Sequence, residues 1–115
     1  MTTQETQETR QVHFYEVGEN FEKHSLQKHG PACLDIIKSE EFRPGDLFVL
    51  DMSETENLSH HGLAAMIRFR HEVLKKNGQI GLIRSDRVIQ TTDVTKLSLL
   101  FHLFDSRDHA IDHLN

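Results

Sequence analysis

Nine histidines in 115 residues are the side chains here most able to bind a metal or move a proton, and five of them fall in two groups. His60 and His61 follow Ser59 directly. His109 and His113 stand at helical i, i+4 spacing, with His102 upstream of them. Zinc requires three or four converging ligands, usually announced by His-Glu-x-x-His or Cys-x-x-Cys, and neither string occurs. Surface histidines are therefore the expectation, with no metal and no other cofactor. Ser59 beside His60 is not a catalytic triad, because a fold and not chain adjacency must orient the base. A nucleophile elbow needs Gly-x-Ser-x-Gly, whereas Asn57 and His61 flank Ser59. No glycine-rich phosphate loop is present, and Gly78 and Gly81 read as a cap and a packed strand position. These residues predict a protein that is not an enzyme.

The totals agree with a binding role. A chain of 115 residues is the size of one domain and can bury a core without disulfides. The expected division is a flexible tail over residues 1–11 and a single domain over 12–115. The lone Cys33 cannot form an intrachain disulfide and reads as a small buried hydrophobe in a reducing compartment. A net charge of −5 with no basic cluster argues against nucleic acid. The apolar runs are too short to span a bilayer, and the polar start lacks the pattern of a signal peptide. A cytoplasmic protein without membrane insertion is expected.

Elements that position these residues follow from periodicity. Val12 to Val17 reads as a strand rich in β-branched and aromatic residues, and Gly18-Glu19-Asn20 as a turn. A helix is expected from about Ser25 to Glu41, interrupted at Gly30-Pro31, with Pro31 in a first turn and Cys33, Ile36 and Ile37 on one face. Leu47-Phe48-Val49-Leu50, between Asp46 and Asp51, predicts a central strand buried on both faces. Met52 to Ser59 is a polar loop. From His61 to Lys76, Leu63, Met66, Ile67, Val73 and Leu74 recur at helical spacing, and Asn77-Gly78 closes the helix. Gln79 to Ile83 is a further strand, and Arg84 to Thr95 a loop or weak helix. Leu97 to Phe104 ends as a strand, and Asp105 or Ser106 caps a last helix through Ile111 and Leu114. The alternation predicts a small α/β fold, a central, mostly parallel sheet with crossover helices.

Two strings go further. Asp46-Leu-Phe-Val-Leu-Asp-Met-Ser53, then Leu58-Ser-His-His-Gly-Leu63 after a short loop, resembles the signature region of STAS domains. That family's pattern is a hydrophobic strand ending in Asp-Leu-Ser, then Asp-Ser-Ser-Gly-Leu opening a helix. Asn77 to Ile83, and Leu97 to Ala110 with Phe104-Asp-Ser106, resemble its later strands and closing helix. STAS domains usually begin with a two-stranded hairpin, and here only Val12 to Val17 is strand-like.

The resemblance implies a protein-binding module of the anti-sigma-factor-antagonist type. Such a domain docks an anti-sigma factor that is also a serine kinase, and phosphorylation of the first Ser in Asp-Ser-Ser-Gly breaks the complex. The phosphate adds about two negative charges at the docking surface. Here Ser59 stands at the Asp, His60 at the acceptor Ser, His61 at the second Ser and Gly62 at the Gly. The acceptor-equivalent residue is therefore His60, which no serine kinase can modify. Three readings stay open for the segment: a helix cap, a constitutive docking surface, or a shifted acceptor at Ser59, Ser53 or Thr55. Partner-binding residues implied by the resemblance are Ser53, Ser59, His60, His61, Gly62 and Leu63, with Arg68 and Arg70 at the rim. The competing partner is a membrane transporter ATPase, which a STAS accessory subunit would serve. Self-association into a homodimer is compatible with either.

Overall fold

The computed structural model describes residues 10–91 and 94–115. Four strands, β1 (Val12–Glu16), β3 (Leu47–Asp51), β5 (Gln79–Ile83) and β6 (His102–Phe104), form one sheet in the order β1-β3-β5-β6. All three pairings are parallel. Two shorter strands, β2 (Asn20–Phe21) and β4 (Asn57–Leu58), make a separate parallel pair. Helices α1 (Leu26–Lys38), α2 (His60–Lys75), α3 (Asp86–Thr91), α4 (Val94–Leu100) and α5 (Arg107–Leu114) complete the chain. This is the expected α/β architecture, a parallel sheet with crossover helices.

Strand alternation sorts the core into two layers. Phe48, Leu50, Ile80 and Leu82 face α1 and α2, where Cys33, Ile37, Met66, Phe69 and Val73 meet them. Leu47, Val49, Ile83 and Phe104 face the other way and are covered by Ala110 and Leu114 of α5. The run Leu47-Phe48-Val49-Leu50 is wholly buried because helices cover both faces of the sheet there.

Several expected details differ. Helix α1 runs unbroken through Gly30-Pro31 and places Pro31 inside the helix, not in its first turn. The bond that Pro31 cannot donate would have run to Gln27, an exposed residue of the opening turn, so little continuity is lost. In α2 the buried face is Gly62, Met66, Phe69 and Val73, while Ile67 and Leu74 are 53% and 46% exposed. Each of those two lies one residue, about 100° of rotation, beyond a buried position. The loop expected from Met52 to Ser59 contains β4. Arg84 to Thr95 carries α3 and the start of α4, with Thr92 and Asp93 outside the described residues.

Other ends form as the residues direct. Helix α2 closes in a Schellman arrangement: Asn77 is left-handed (φ 59°), its N–H donates to Leu74 O, and Gly78 N–H donates to Val73 O. Ser106 caps α5 and accepts the His109 N–H. The expected tail over residues 1–11 lies, up to residue 9, outside the described residues. Gln11 donates its N–H to Asp46 Oδ1 at 2.9 Å, and its carbonyl accepts the Leu47 N–H at 3.0 Å.

Candidate docking site

The segment after β3 is held in shape by hydrogen bonds from three directions. Asp51, 6% exposed, accepts on Oδ1 from the Ser53 hydroxyl (2.7 Å) and the Ser53 N–H (3.1 Å). Its Oδ2 accepts from Arg107 Nε at 2.9 Å, and that guanidinium lies 4.8 Å from the centre of the Phe14 ring. Burial pushes the Asp51 carboxyl up, but the Ser53 and Arg107 contacts outweigh it and hold the group below its ordinary value. The strand end, the loop and α5 are thereby tied at one carboxylate.

Further along, Thr55 is 1% exposed and donates its hydroxyl to Gly18 O at 2.7 Å. Gly18 takes a positive φ of 81°, which turns the chain after β1 toward this loop. The amides of Glu56 and Asn57 both donate to Glu19 O, and Ser59 N–H donates to Phe21 O. Asn57 Nδ2 donates to Asn20 Oδ1 at 2.7 Å across the small sheet. Ser85 reaches in from the start of α3 and donates to Thr55 O at 2.9 Å. The loop is a braced platform.

Helix α2 begins on that platform. Ser59, extended at φ −101° and ψ 172°, accepts the Gly62 N–H on its side-chain oxygen at 3.3 Å and caps the helix. Gly62 is buried, and a β-carbon there would collide with the Phe21 carbonyl oxygen and touch Leu58 and the Phe21 ring. Glycine is required by close approach, and it seats α2 against β2. Leu63 is half-buried and packs on the main core. His60 and His61 stand exposed on the first turn.

Of the residues singled out from sequence, Ser53, His60 and His61 are exposed, and Ser59 is half-buried at the entry of α2. Gly62 and Leu63 face inward in the same turn, Gly62 against Phe21 and Leu58 and Leu63 on the main core. The Thr55 hydroxyl is enclosed. Arg68 is exposed on the side of α2 that faces α1, whereas Arg70 Nε donates to Leu100 O at 2.9 Å on the opposite side. The two arginines do not share a rim. Near the carboxyl end, His102 and His113 do meet, with ring centres 4.3 Å apart, and His113 Nε2 lies 3.0 Å from Gln79 Oε1. His109 packs edge-on against Phe104. Among the described residues, no group of three or more His, Cys, Asp or Glu side chains is placed to hold a metal.

Sequence reasoning did not find Arg107 or His29. His29 is 7% exposed; its Nδ1 lies 2.6 Å from the Tyr15 hydroxyl, and its ring packs on Phe21. It braces β1 and β2 from below. A histidine within the apolar face that contains Cys33 and Ile37 was the available signal.

The STAS domain model matches residues 8–110 of this chain. The chain belongs to the STAS domain family. The match begins before β1, so it takes in the first third, where only one strand was legible. Among solved structures, the chain is similar to one titled as the crystal structure of a sulfate transporter family protein from Wolinella succinogenes. Identity is 20%, the TM-score is 0.71, and the match covers 90% of this chain and 84% of that one. At that identity the likeness is one of fold. No curated protein matches the sequence. STAS membership marks the chain as a regulatory or protein-binding module, of a kind generally without enzymatic activity. No helix among the described residues is long and apolar enough to cross a membrane.

Proposed function

We propose that this STAS domain docks an anti-sigma factor or related regulatory serine kinase through the surface formed by Ser53, Ser59, His60 and His61, and does so without the family's serine switch. The observation that carries this reading is the first turn of α2. His60 and His61 are exposed on a braced platform, while the Ser59 side chain is half-buried and engaged as the helix cap. An imidazole cannot take a serine phosphate. The complex is then constitutive, and regulation falls to the supply of partner.

His60→Glu and His61→Asp test the assignment, because both sites are solvent-exposed on a capped turn. His60→Glu places a carboxylate where the family's phosphate would sit and His61→Asp places one at the next residue, and with either one, partner affinity should fall roughly 30-fold or more, the effect of losing an interface hot spot. Circular dichroism and thermal melting should stay as in the unmodified chain. Undiminished binding of the captured partner by both variants rejects the surface.

A second reading is an accessory subunit of a transporter ATPase. What favours it is the fold shared with the sulfate transporter family protein, together with the absence of an acceptor serine at position 60. Affinity capture of the tagged chain separates the two: a kinase of the anti-sigma type supports the first, a transporter ATPase the second.

A further inference from the structure

Helices α1 and α2 lie side by side on one face of the sheet and leave a groove of about 640 Å³ between them. Gly30, Ala64 and Ala65 keep it open, since none of them carries a side chain beyond a methyl group. Leu26, Leu34 and Phe69 give it an apolar floor. Its α2 wall begins at Ala64 and Ala65, one helical turn after His60 and His61. The groove thus follows, along the same helix, the docking surface proposed above.

Its charge is opposite to that of the whole chain, which carries −5. Of the basic residues of α2, Arg68 faces the groove, whereas Arg70 lies on the other side against Leu100 and Lys75 pairs with Glu72 at 3.5 Å. Arg68 and Lys38 stand at the groove, with Asp35 as its one carboxylate. Both walls are helices whose backbone groups are largely bonded within themselves, so an added strand finds no edge to pair with, and a third helix is the shape that fits. Residues 1–9, Met-Thr-Thr-Gln-Glu-Thr-Gln-Glu-Thr, have one apolar side chain and cannot supply an apolar helix face.

We propose that this groove receives an acidic amphipathic helix of about four turns from the docked protein, its apolar stripe on Leu34 and Ala65 and its carboxylates toward Arg68 and Lys38. The length follows from the 13 and 16 residues of the two walls, about 20 Å and 24 Å. This rests on the docking reading, for it names the chemistry of the partner segment.

The test is a titration of the isotope-labelled full chain with two synthetic helical peptides, followed by NMR. Both carry leucines at i, i+3, i+4 and i+7; one has glutamates on its flanks and the other lysines. The glutamate peptide should shift the amides of Leu34, Ala64, Ala65 and Arg68 and leave α5 unmoved. Added salt, and the Lys38→Glu/Arg68→Glu double variant, should each weaken it roughly tenfold. Equal binding of the lysine peptide, shifts elsewhere, or no shift at all overturns the proposal. So does a dimer of the free chain that dissociates in the double variant, since a second copy would then be the occupant. Partner capture separates this from failure of the docking reading. Binding lost in His60→Glu and kept in the double variant removes the groove alone, while indifference to both sets removes the docking surface itself.

Discussion

Two buried carboxylates bracket the central strand and do different work. Asp46, 2% exposed, precedes β3 and accepts the amides of Gln11 and Arg43 and the His13 Nε2 at 2.9 to 3.0 Å. Burial raises its carboxyl, and these contacts more than reverse that, leaving it below its ordinary value. Removing the carboxylate would leave two amides and an imidazole without their acceptor inside the protein. Asp46→Ala should therefore lower unfolding stability by about 3 kcal/mol, measured as a reduced urea midpoint at unchanged slope. The Asp51 side chain, at the other end, holds the loop before α2 and not the sheet, so its partners are the loop serine and the arginine of α5. Cys33, fully buried in the main core, has its thiol pushed up to about 12 by that burial, which makes it a packing residue and an inert one.

At the scale of elements, the entry of α2 is the tightest joint. Gly62→Ala drives a methyl into the Phe21 carbonyl, and neither β2 nor the helix can yield without losing the small sheet. The expected cost is about 2 kcal/mol, with partner binding weakened further because His60 and His61 would be displaced. A thermal melt and a binding titration on the same variant separate the two effects. The central strand, α2, its Asn77 cap and the family signature were legible because each is written in contiguous residues. The β2–β4 pair was not, because two residues carry no period and their partners lie 37 positions apart. Nor was the Arg107–Asp51 contact, 56 positions apart, which only the docking of α5 creates. Ile67 and Leu74 misled for a different reason. Apolar residues occupied more than one face of α2, and packing against Phe21 selected the face with Phe69. The segment proposed for docking was marked by its order along the chain, whereas the partition into exposed His60 and His61 and buried Gly62 depended on the fold.

For the molecule as a whole, acid is the destabilising direction. Burial lowers His29 in the core, and burial together with His113 lowers His102, so both favour the neutral imidazole when folded. A group held below its unfolded value binds more protons unfolded. The stability from these two histidines is fully present above 6.5, their ordinary value, and drains as pH falls through their lower folded values. Asp46 and Asp51 follow the same rule lower down: their contribution is present above 3.8 and is lost on further acidification. Urea unfolding at stepwise pH from 8 to 3 should show stability declining in two stages, with the upper stage diminished in His29→Gln. A flat profile between pH 7 and 5 contradicts the placement of His29.

Every strand pair described here is parallel, and that has a cost in time. Among the described residues no hairpin can close early in synthesis; there, β1 meets its neighbour only when β3, some 35 positions later, has been made. At ordinary translation speeds of about 5–20 residues per second, the ribosome takes about 2–7 s to make the β3 partner of Val12–Glu16, whose Val12, Phe14 and Tyr15 side chains wait for it. During that interval the nascent chain is open to aggregation and to chaperones, a window that an antiparallel domain of equal stability would close sooner.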